Sequence, residues 1–323
     1  MGRWLARRVV QAALTLAVAA TLAFVLMRVA PGDPLARLAM DQPISPQQIA
    51  LLRTRYGLDQ PLLKQYTAFV GGALHGDFGV SIAYGRPVTA LIAERLPATL
   101  ILGGTVLLIN FTLGLWLGVR QAVKRGRAAD HLIGVLSQTG YAVPSFWLGL
   151  VLAWLVGIRW QLLPAGGMHS PLMDPTSTLL HQAADLLEHL ILPALTLSIV
   201  SIAAAIRYQR TAMLDALSLP FILTARAKGL RERQIVWRHA WRNALFPVLT
   251  LFGLWLPVLV TGSVFVEDVF AWPGLGSLAA GAVAARDYPV LMGTTTLVAV
   301  IVVLASLLID GLYALLDPRI RWA

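Results

Sequence analysis

The chain has 323 residues, 57% of them hydrophobic and 13% charged, with a formal net charge of +10 and no cysteine. A soluble chain is about one quarter charged, so the composition excludes an ordinary soluble domain and points to an integral membrane protein. The lack of cysteine excludes a disulfide framework, a thiol nucleophile and a thiolate metal site.

The apolar residues come in long runs rather than in alternation. At roughly 20 apolar residues per bilayer crossing, they predict six spans: Val9–Met27, Ala98–Val119, Leu132–Ile158, Leu190–Ile206, Leu245–Val266 and Val290–Ile309. The fourth is the shortest, and its start reaches back into an amphipathic stretch. None of these runs contains Lys, Arg, Asp or Glu. A charge at the bilayer centre costs at least ~2.5–3.5 kcal/mol, which accounts for that absence. Arg3, Arg7 and Arg8 precede the first run, which is too long for a signal-peptide core and reads as a retained span.

With six spans, one side of the membrane collects 17 of the 26 Lys and Arg residues and five of the 16 acidic ones. The positive-inside bias assigns that side, and with it both termini, to the cytoplasm. Topology thus explains the basic balance, and nucleic-acid binding is not implied. The fold class is therefore all-α, with both termini cytoplasmic and a helical insertion outside the membrane after the first helix. The domains are a first part over 1–30, an outer helical subdomain over 31–97, and a membrane core over 98–323 with a cytoplasmic segment at 207–244.

The outer segment starts with Pro31-Gly32-Asp33-Pro34. Ser45-Pro46-Gln47-Gln48 is a capping box that opens a helix to about Arg55. Leu62 to Leu74 is a second amphipathic pattern, Gly76-Asp77-Phe78-Gly79 a turn, and Pro87 to Leu96 leads into the second span. Within that span, Gly114 and Gly118 are spaced for helix packing. Pro144 and Pro257 mark bends in the third and fifth spans.

The next outer segment predicts an N-cap and N1 pair at Asp174-Pro175 and a helix to about His189. His181, Asp185 and His189 share one face of that helix at i, i+4 and i+8. A metal site and a plain polar face are the two readings, and the polar face is preferred because no fourth ligand is near. Glu267, Asp268 and Asp287 flank a third outer loop. They read as exposed charges and as candidate contacts for a binding protein or a substrate's ammonium group.

The cytoplasmic segment predicts a helix–Gly–helix hairpin. Ser218 is placed as its N-cap, Pro220 in its first turn, a helix over Phe221–Lys228, Gly229 as a left-handed stop, and a second helix over about Glu232–Ala240. Ala225 and Ala227 read as small residues that let a partner approach, beside the polar Thr224, Arg226 and Lys228.

That frame, Leu223-Thr224-Ala225-Arg226-Ala227-Lys228-Gly229 with His239 ten residues beyond, resembles the cytoplasmic signature of permease subunits of binding-protein-dependent ABC importers. Leu223 stands where the general signature has Glu, as is usual in the dipeptide/oligopeptide and nickel branch. Ala30-Pro31-Gly32-Asp33-Pro34, Tyr56-Gly57-Leu58-Asp59-Gln60-Pro61, Gly76-Asp77-Phe78-Gly79-Val80-Ser81, Pro144-Ser145-Phe146-Trp147, Leu163-Pro164-Ala165-Gly166-Gly167 and Asp317-Pro318-Arg319 extend the likeness almost end to end, to the first of the two permeases of such systems.

The resemblance implies a pore-forming subunit in a bacterial inner membrane. Its partners would be a second permease, two ATP-binding subunits, an outer solute-binding protein and membrane lipid. It would hold no cofactor itself, because ATP and Mg belong to the partner subunits; the chain has no Walker A sequence. Thr224, Ala225, Arg226, Ala227, Lys228, Gly229 and His239 become the ATPase-coupling residues. Gln138, Tyr141, Ser145, Ser198, Ser201, Thr261 and Ser263 are candidates for the pore lining, with helix–helix contact as the equal alternative. Peptides are the implied cargo, with nickel chelates or another small solute as the alternative. A membrane-embedded enzyme is disfavoured by the scarcity of ionisable groups in the spans.

Overall fold

The computed structural model describes residues 2–29, 32–35, 45–174, 177–245, 247–248, 255 and 264–316. In chain order the helices are α1 (Gly2–Val29), α2 (Pro46–Arg55), α3 (Leu62–Leu74), α4 (Val88–Ile109), α5 (Leu115–Val123), α6 (Ala128–Ala142), α7 (Ser145–Leu152), α8 (Leu179–Leu217), α9 (Pro220–Ala227), α10 (Glu232–Gln234), α11 (Val264–Val269), α12 (Leu275–Ala285) and α13 (Tyr288–Leu316). Wider π-helical turns follow α4 at Asn110–Gly114, α7 at Ala153–Arg159 and α10 at Ile235–Ala240. Among the described residues the only extended pairing is one antiparallel bridge, Val80 to Pro87.

Four stretches are long and apolar enough to cross a membrane: Ala6–Val29, Val88–Val123, Leu179–Leu217 and Tyr288–Ile309. A fifth exists if α6 and the helix from Ser145 to Arg159, bent by 97° at Val143-Pro144, count as one. Proline drives the residue before it into extended backbone, and Val143 sits at ψ 129°. The bend read at Pro144 is thus present, and it breaks the third predicted span in two. The fifth predicted span, Leu245–Val266, lies mostly outside the described residues.

Two further boundaries differ from the sequence reading. The second span starts at Val88, well before Ala98, and carries Pro97 inside the helix. The fourth is the middle of a 39-residue helix, about 58 Å long at 1.5 Å per residue. Its N-cap is Thr178, whose hydroxyl accepts from the His181 amide, not Asp174. Asp174 instead lends its carbonyl to a turn with the Ser177 amide. Thr178 holds the extended backbone of an N-cap directly before the apolar run, so helix formation begins there.

The chain forms two compact units, residues 1–99 with 273–323, and residues 100–272. The division differs from the one based on spans and loops because α13 packs along α1. In the first unit α2 has the capping box read from the sequence: Ser45 Oγ accepts from the Gln48 amide at 3.3 Å, and Gln48 Oε1 accepts from the Ser45 amide at 2.9 Å. α3 docks on α1 through the Thr21–Tyr66 hydroxyl pair at 2.8 Å and the Phe24 ring against Tyr66 and Phe69.

In the second unit α5, α6 and α8 pack together. Cβ atoms added at Gly114 and Gly118 would lie 2.9 Å from Ala205 Cβ and 2.7 Å from Gln209 Cβ, so only glycine permits this approach of the two helices.

Candidate functional site

The α9–α10 hairpin is built by local punctuation. Leu219 has extended backbone and Pro220 occupies the first helical position, where its missing N–H costs little. Ser218 ends α8 instead of opening α9, because its hydroxyl donates to the Asp215 carbonyl at 2.7 Å. α9 stops at Gly229, whose φ is +74°. The Gly229 amide donates to Arg226 O and the Leu230 amide to Ala225 O, the paired bonds of a Schellman stop.

The hairpin's inner face is apolar. Ile222, Ala225, Ile235, Val236 and Ala240 join one buried cluster with Leu115, Val119 and Ala122 of α5 and Ala212, Met213 and Ala216 of α8. The hairpin is thereby joined to the ends of two membrane helices. Ala225 is 6% exposed, so it faces this core and not a partner, correcting the sequence reading. Alternate positions on a short helix point opposite ways, and the apolar Ile222–Ala225 pair decides which side turns in.

The outer face is polar. Thr224, Arg226, Ala227, Lys228 and Gly229 are exposed, and His239 is half-buried. Arg226 Nε donates to Glu232 Oε1 at 2.7 Å, spanning the two helices. That hydrogen bond, and then the Glu232 charge, holds the Arg226 guanidinium above its ordinary pKa. Arg231, Arg233, Arg238 and Arg242 line an open recess of about 680 Å³ beside Trp237.

A second anchor sits at the same end of α8. Buried Asp130 takes Arg210 through Nε at 3.1 Å and Nη2 at 3.0 Å, and its Oδ2 also accepts from the Gly126 amide at 2.9 Å. Gln121 Nε2 donates to the Asp130 carbonyl. This clamp ties the turn between α5 and α6 to α8. Nothing in the sequence around Arg210 or Asp130 reports a partner 80 positions away.

Within the spans, Gln138 and Tyr141 are exposed on one face of α6, with Ser145 half-buried past the break. Arg207 stacks over the Tyr141 ring at 5.4 Å. Ser201 accepts from Asn110 Nδ2 at 2.8 Å and donates to Leu197 O at 2.6 Å, so it is spent on helix contact. Ser198 is 3% exposed, and its hydroxyl has no partner among the described residues. Thr261 and Ser263 lie outside the described residues.

The three loop carboxylates do not share the exposed state read for them. Asp268 is exposed, whereas Glu267 and Asp287 are fully buried. Asp287 Oδ2 accepts from Ser81 Oγ at 2.5 Å and the Ala83 amide at 3.0 Å, and Oδ1 from the Val290 amide at 3.3 Å. It is both the N-cap of α13 and a clasp on the 81–84 turn. Asp287 followed by Tyr288-Pro289 is an N-cap signal that could have placed it.

Asp185 is likewise engaged inside the chain, by Ser170 Oγ at 2.6 Å and His169 Nδ1 at 3.0 Å. His189 Nδ1 lies 2.8 Å from the Asp185 carbonyl, and His181 is exposed. Among the described residues no three His, Cys, Asp or Glu are grouped to hold a metal ion.

A multi-pass helical chain with a stopped, core-anchored hairpin and a polar outer face has the parts of a transporter membrane subunit. The family models agree. Residues 88–322 match the binding-protein-dependent transport system inner membrane component, and residues 1–103 match the N-terminal region of the same membrane components. The chain belongs to that family and is its membrane permease, not a catalytic subunit. It is 39% identical over 315 residues to the dipeptide transport system permease protein DppB of Escherichia coli strain K12, covering 93% of each chain. It is 41% identical over 302 residues to the oligopeptide transport system permease protein AppB of Bacillus subtilis strain 168, again over 93% of each. To the dipeptide permease DppB of Lactococcus lactis it is 36% identical over 322 residues, 99% of this chain and all of the relative.

Proposed function

We propose that this chain forms half of the pore of an ATP-driven importer of di- and oligopeptides. It pairs with a second permease, and two ATP-binding subunits bind below the pair, with the α9–α10 hairpin as this chain's docking element; cargo comes from an outer solute-binding protein. ATP and Mg act on the partner subunits. The six-span arrangement with both termini cytoplasmic belongs to this reading, and the 17-to-five charge bias supports it.

The observation that carries the reading is the two-faced hairpin. Its apolar side is continuous with the core of α5 and α8, while Thr224, Arg226 and Lys228 are exposed on the other side. A push from below is transmitted through close-packed side chains, which deform little, to α8 and hence to the membrane. Gln138 and Tyr141 fit the pore lining best. Polar groups exposed on a span are costly against lipid and so face a partner or a water-filled path. Ser145 and Ser198 border that face with less exposure, Ser201 is committed to Asn110, and Asp268 alone of the three loop carboxylates is free to meet the binding protein.

Peptide cargo rests on relatives named for dipeptides and oligopeptides at 36–41% identity over nearly the whole chain. Uptake of labelled di- and oligopeptides by the reconstituted complex, binding protein included, tests it. ATP-dependent accumulation of peptide is the expected result; transport of a nickel chelate with no peptide uptake overturns the cargo. Gly229→Val tests the hairpin: ATPase subunits that still copurify, with unchanged uptake, would refute docking there.

A further inference from the structure

In the unit built from residues 1–99 and 273–323, a cavity of about 400 Å³ opens where α2, α3 and the start of α13 meet the far end of α1. Its walls combine apolar and cationic groups: Phe24 and Phe69 on one side, Arg28, Arg55 and Lys64 on the other. Arg28 is half-buried, with its guanidinium over the Phe24 ring at 5.5 Å and the Tyr288 ring at 5.7 Å. Among the described residues no ion pair joins Arg28, Arg55 or Lys64 to a carboxylate. Asp77 also lines the cavity, with Oδ1 accepting from the Gly79 amide at 2.9 Å.

One polar atom there lacks a partner. Gln65 Nε2 donates to the Gln60 carbonyl at 2.6 Å, but Gln65 Oε1 is buried and accepts nothing. An unpaired buried acceptor costs about 1–3 kcal/mol, so a ligand bringing a hydrogen-bond donor is favoured. Three cations and a free acceptor together describe an anion that also carries a hydroxyl or ammonium group.

Depth selects the source. α3 is fastened to α1 at Thr21 and Phe24, inside the last two and a half turns of the apolar stretch Ala6–Val29. Beside Lys64, α3 exposes Leu62 at 61% and Leu63 at 74%. Exposed leucines next to a lysine at the end of a span lie at the headgroup–acyl boundary, where the amine reaches up and the leucines reach down. A soluble anion site has no use for those leucines.

We propose that this cavity binds the headgroup of an anionic phospholipid such as phosphatidylglycerol. The phosphate lies among Arg28, Arg55 and Lys64, where guanidinium forks match its oxygens. A headgroup hydroxyl donates to Gln65 Oε1, and the acyl chains descend past Leu62, Leu63 and the exposed face of α1. Bound lipid thereby completes the unit that holds α1 against α3.

The test is native mass spectrometry of the full-length chain in neutral detergent, with phosphatidylglycerol, phosphatidylcholine or inorganic phosphate added. Phosphatidylglycerol is retained over phosphatidylcholine. Arg55→Gln with Lys64→Gln weakens that retention by about 25-fold, roughly fivefold for each exposed charge removed. Arg231→Gln with Arg233→Gln, on the hairpin, leaves the binding intact. Gln65→Leu lowers retention of phosphatidylglycerol and not of phosphatidylcholine, and serves if the double variant folds poorly. Equal retention of the two lipids, or loss no larger in the cavity variants than in the hairpin control, overturns the proposal. Displacement of the lipid by inorganic phosphate at equal concentration makes the site one for soluble anions and also overturns it.

Discussion

The turn ahead of α13 and the α9–α10 hairpin both bring ionisable side chains into connecting segments, and they treat them in opposite ways. At the turn, Asp287 is fully buried and saturated by Ser81, Ala83 and Val290. At the hairpin the apolar residues are buried, while Arg226, Lys228, Arg231 and Arg233 remain in water. A buried carboxylate with all its bonds made is scaffold, because moving it exposes several unpaired groups at once. Solvated cations on a core-anchored helix cost the fold little and stay available to a partner. The first arrangement resists change and the second transmits it.

Asp287→Ala attacks the first arrangement at its centre. It removes the α13 cap, worth about 1 kcal/mol, and strands the Ser81 hydroxyl and Ala83 amide, at about 1–3 kcal/mol for a buried unsatisfied group. A loss of about 2–4 kcal/mol is expected, read as a drop in detergent-phase melting temperature. Asp287→Asn keeps the cap and falls between. A melting temperature unchanged in Asp287→Ala would remove the clasp from the scaffold.

Arg210→Gln carries the same logic into the hairpin's own unit. Asp130 is buried and takes both arms of Arg210. Deleting one partner of such a pair leaves a buried charge, at the upper end about 3–5 kcal/mol. Because Arg210 is 30% exposed, water moderates this, and about 2 kcal/mol is expected. Replacing both, Asp130→Asn with Arg210→Gln, should recover part of it. No recovery would mean the two residues act separately.

These anchors mark the limit of what the sequence discloses. The uncharged runs disclose the four membrane-length helices, Ser45 and Gln48 the capping box, and Gly229 the helix stop, because each is a local signal whose physics lies within a few residues. Asp287 and Ser81 are 206 positions apart, and nothing local tells a buried carboxylate from a solvated one. Ala225 shows the same limit on a smaller scale: its burial depends on Ile222 finding α8, not on the signature around it. Thr178 displaced Asp174 as N-cap because both are good caps, and the apolar run selects between them by position. The family resemblance reached the transporter class, which local chemistry alone did not.

Gly229→Val separates shape from charge at the hairpin. A Cβ there meets nothing within 4 Å, yet φ is +74°. The expected cost, about 1–2 kcal/mol, is therefore backbone strain and not a clash. The Schellman stop loosens, α10 shifts, and ATPase copurification falls together with uptake. Asn, which tolerates the left-handed region, should restore much of both. If Val and Asn behave alike, the conformation at Gly229 is not what holds the hairpin's shape.

Arg226→Gln carries the smallest stability effect and the sharpest contrast with Asp287. Its pair with Glu232 is exposed on both sides, 45% and 64%, and such pairs contribute about 0–1 kcal/mol. The melting temperature should stay within a degree or two. The guanidinium is held above its already high pKa by Glu232, so this effect does not vary with pH near neutrality. Uptake, by contrast, should fall several-fold, because a solvated cation kept free of the core has value only when a partner meets it. The joint readout of melting and uptake on one variant therefore distinguishes the two regions: Asp287→Ala moves melting first, Arg226→Gln moves uptake alone. An Arg226→Gln protein with normal uptake would place the docking contact on Lys228 and Thr224, and one with lowered melting would make the Arg226–Glu232 pair part of the scaffold after all.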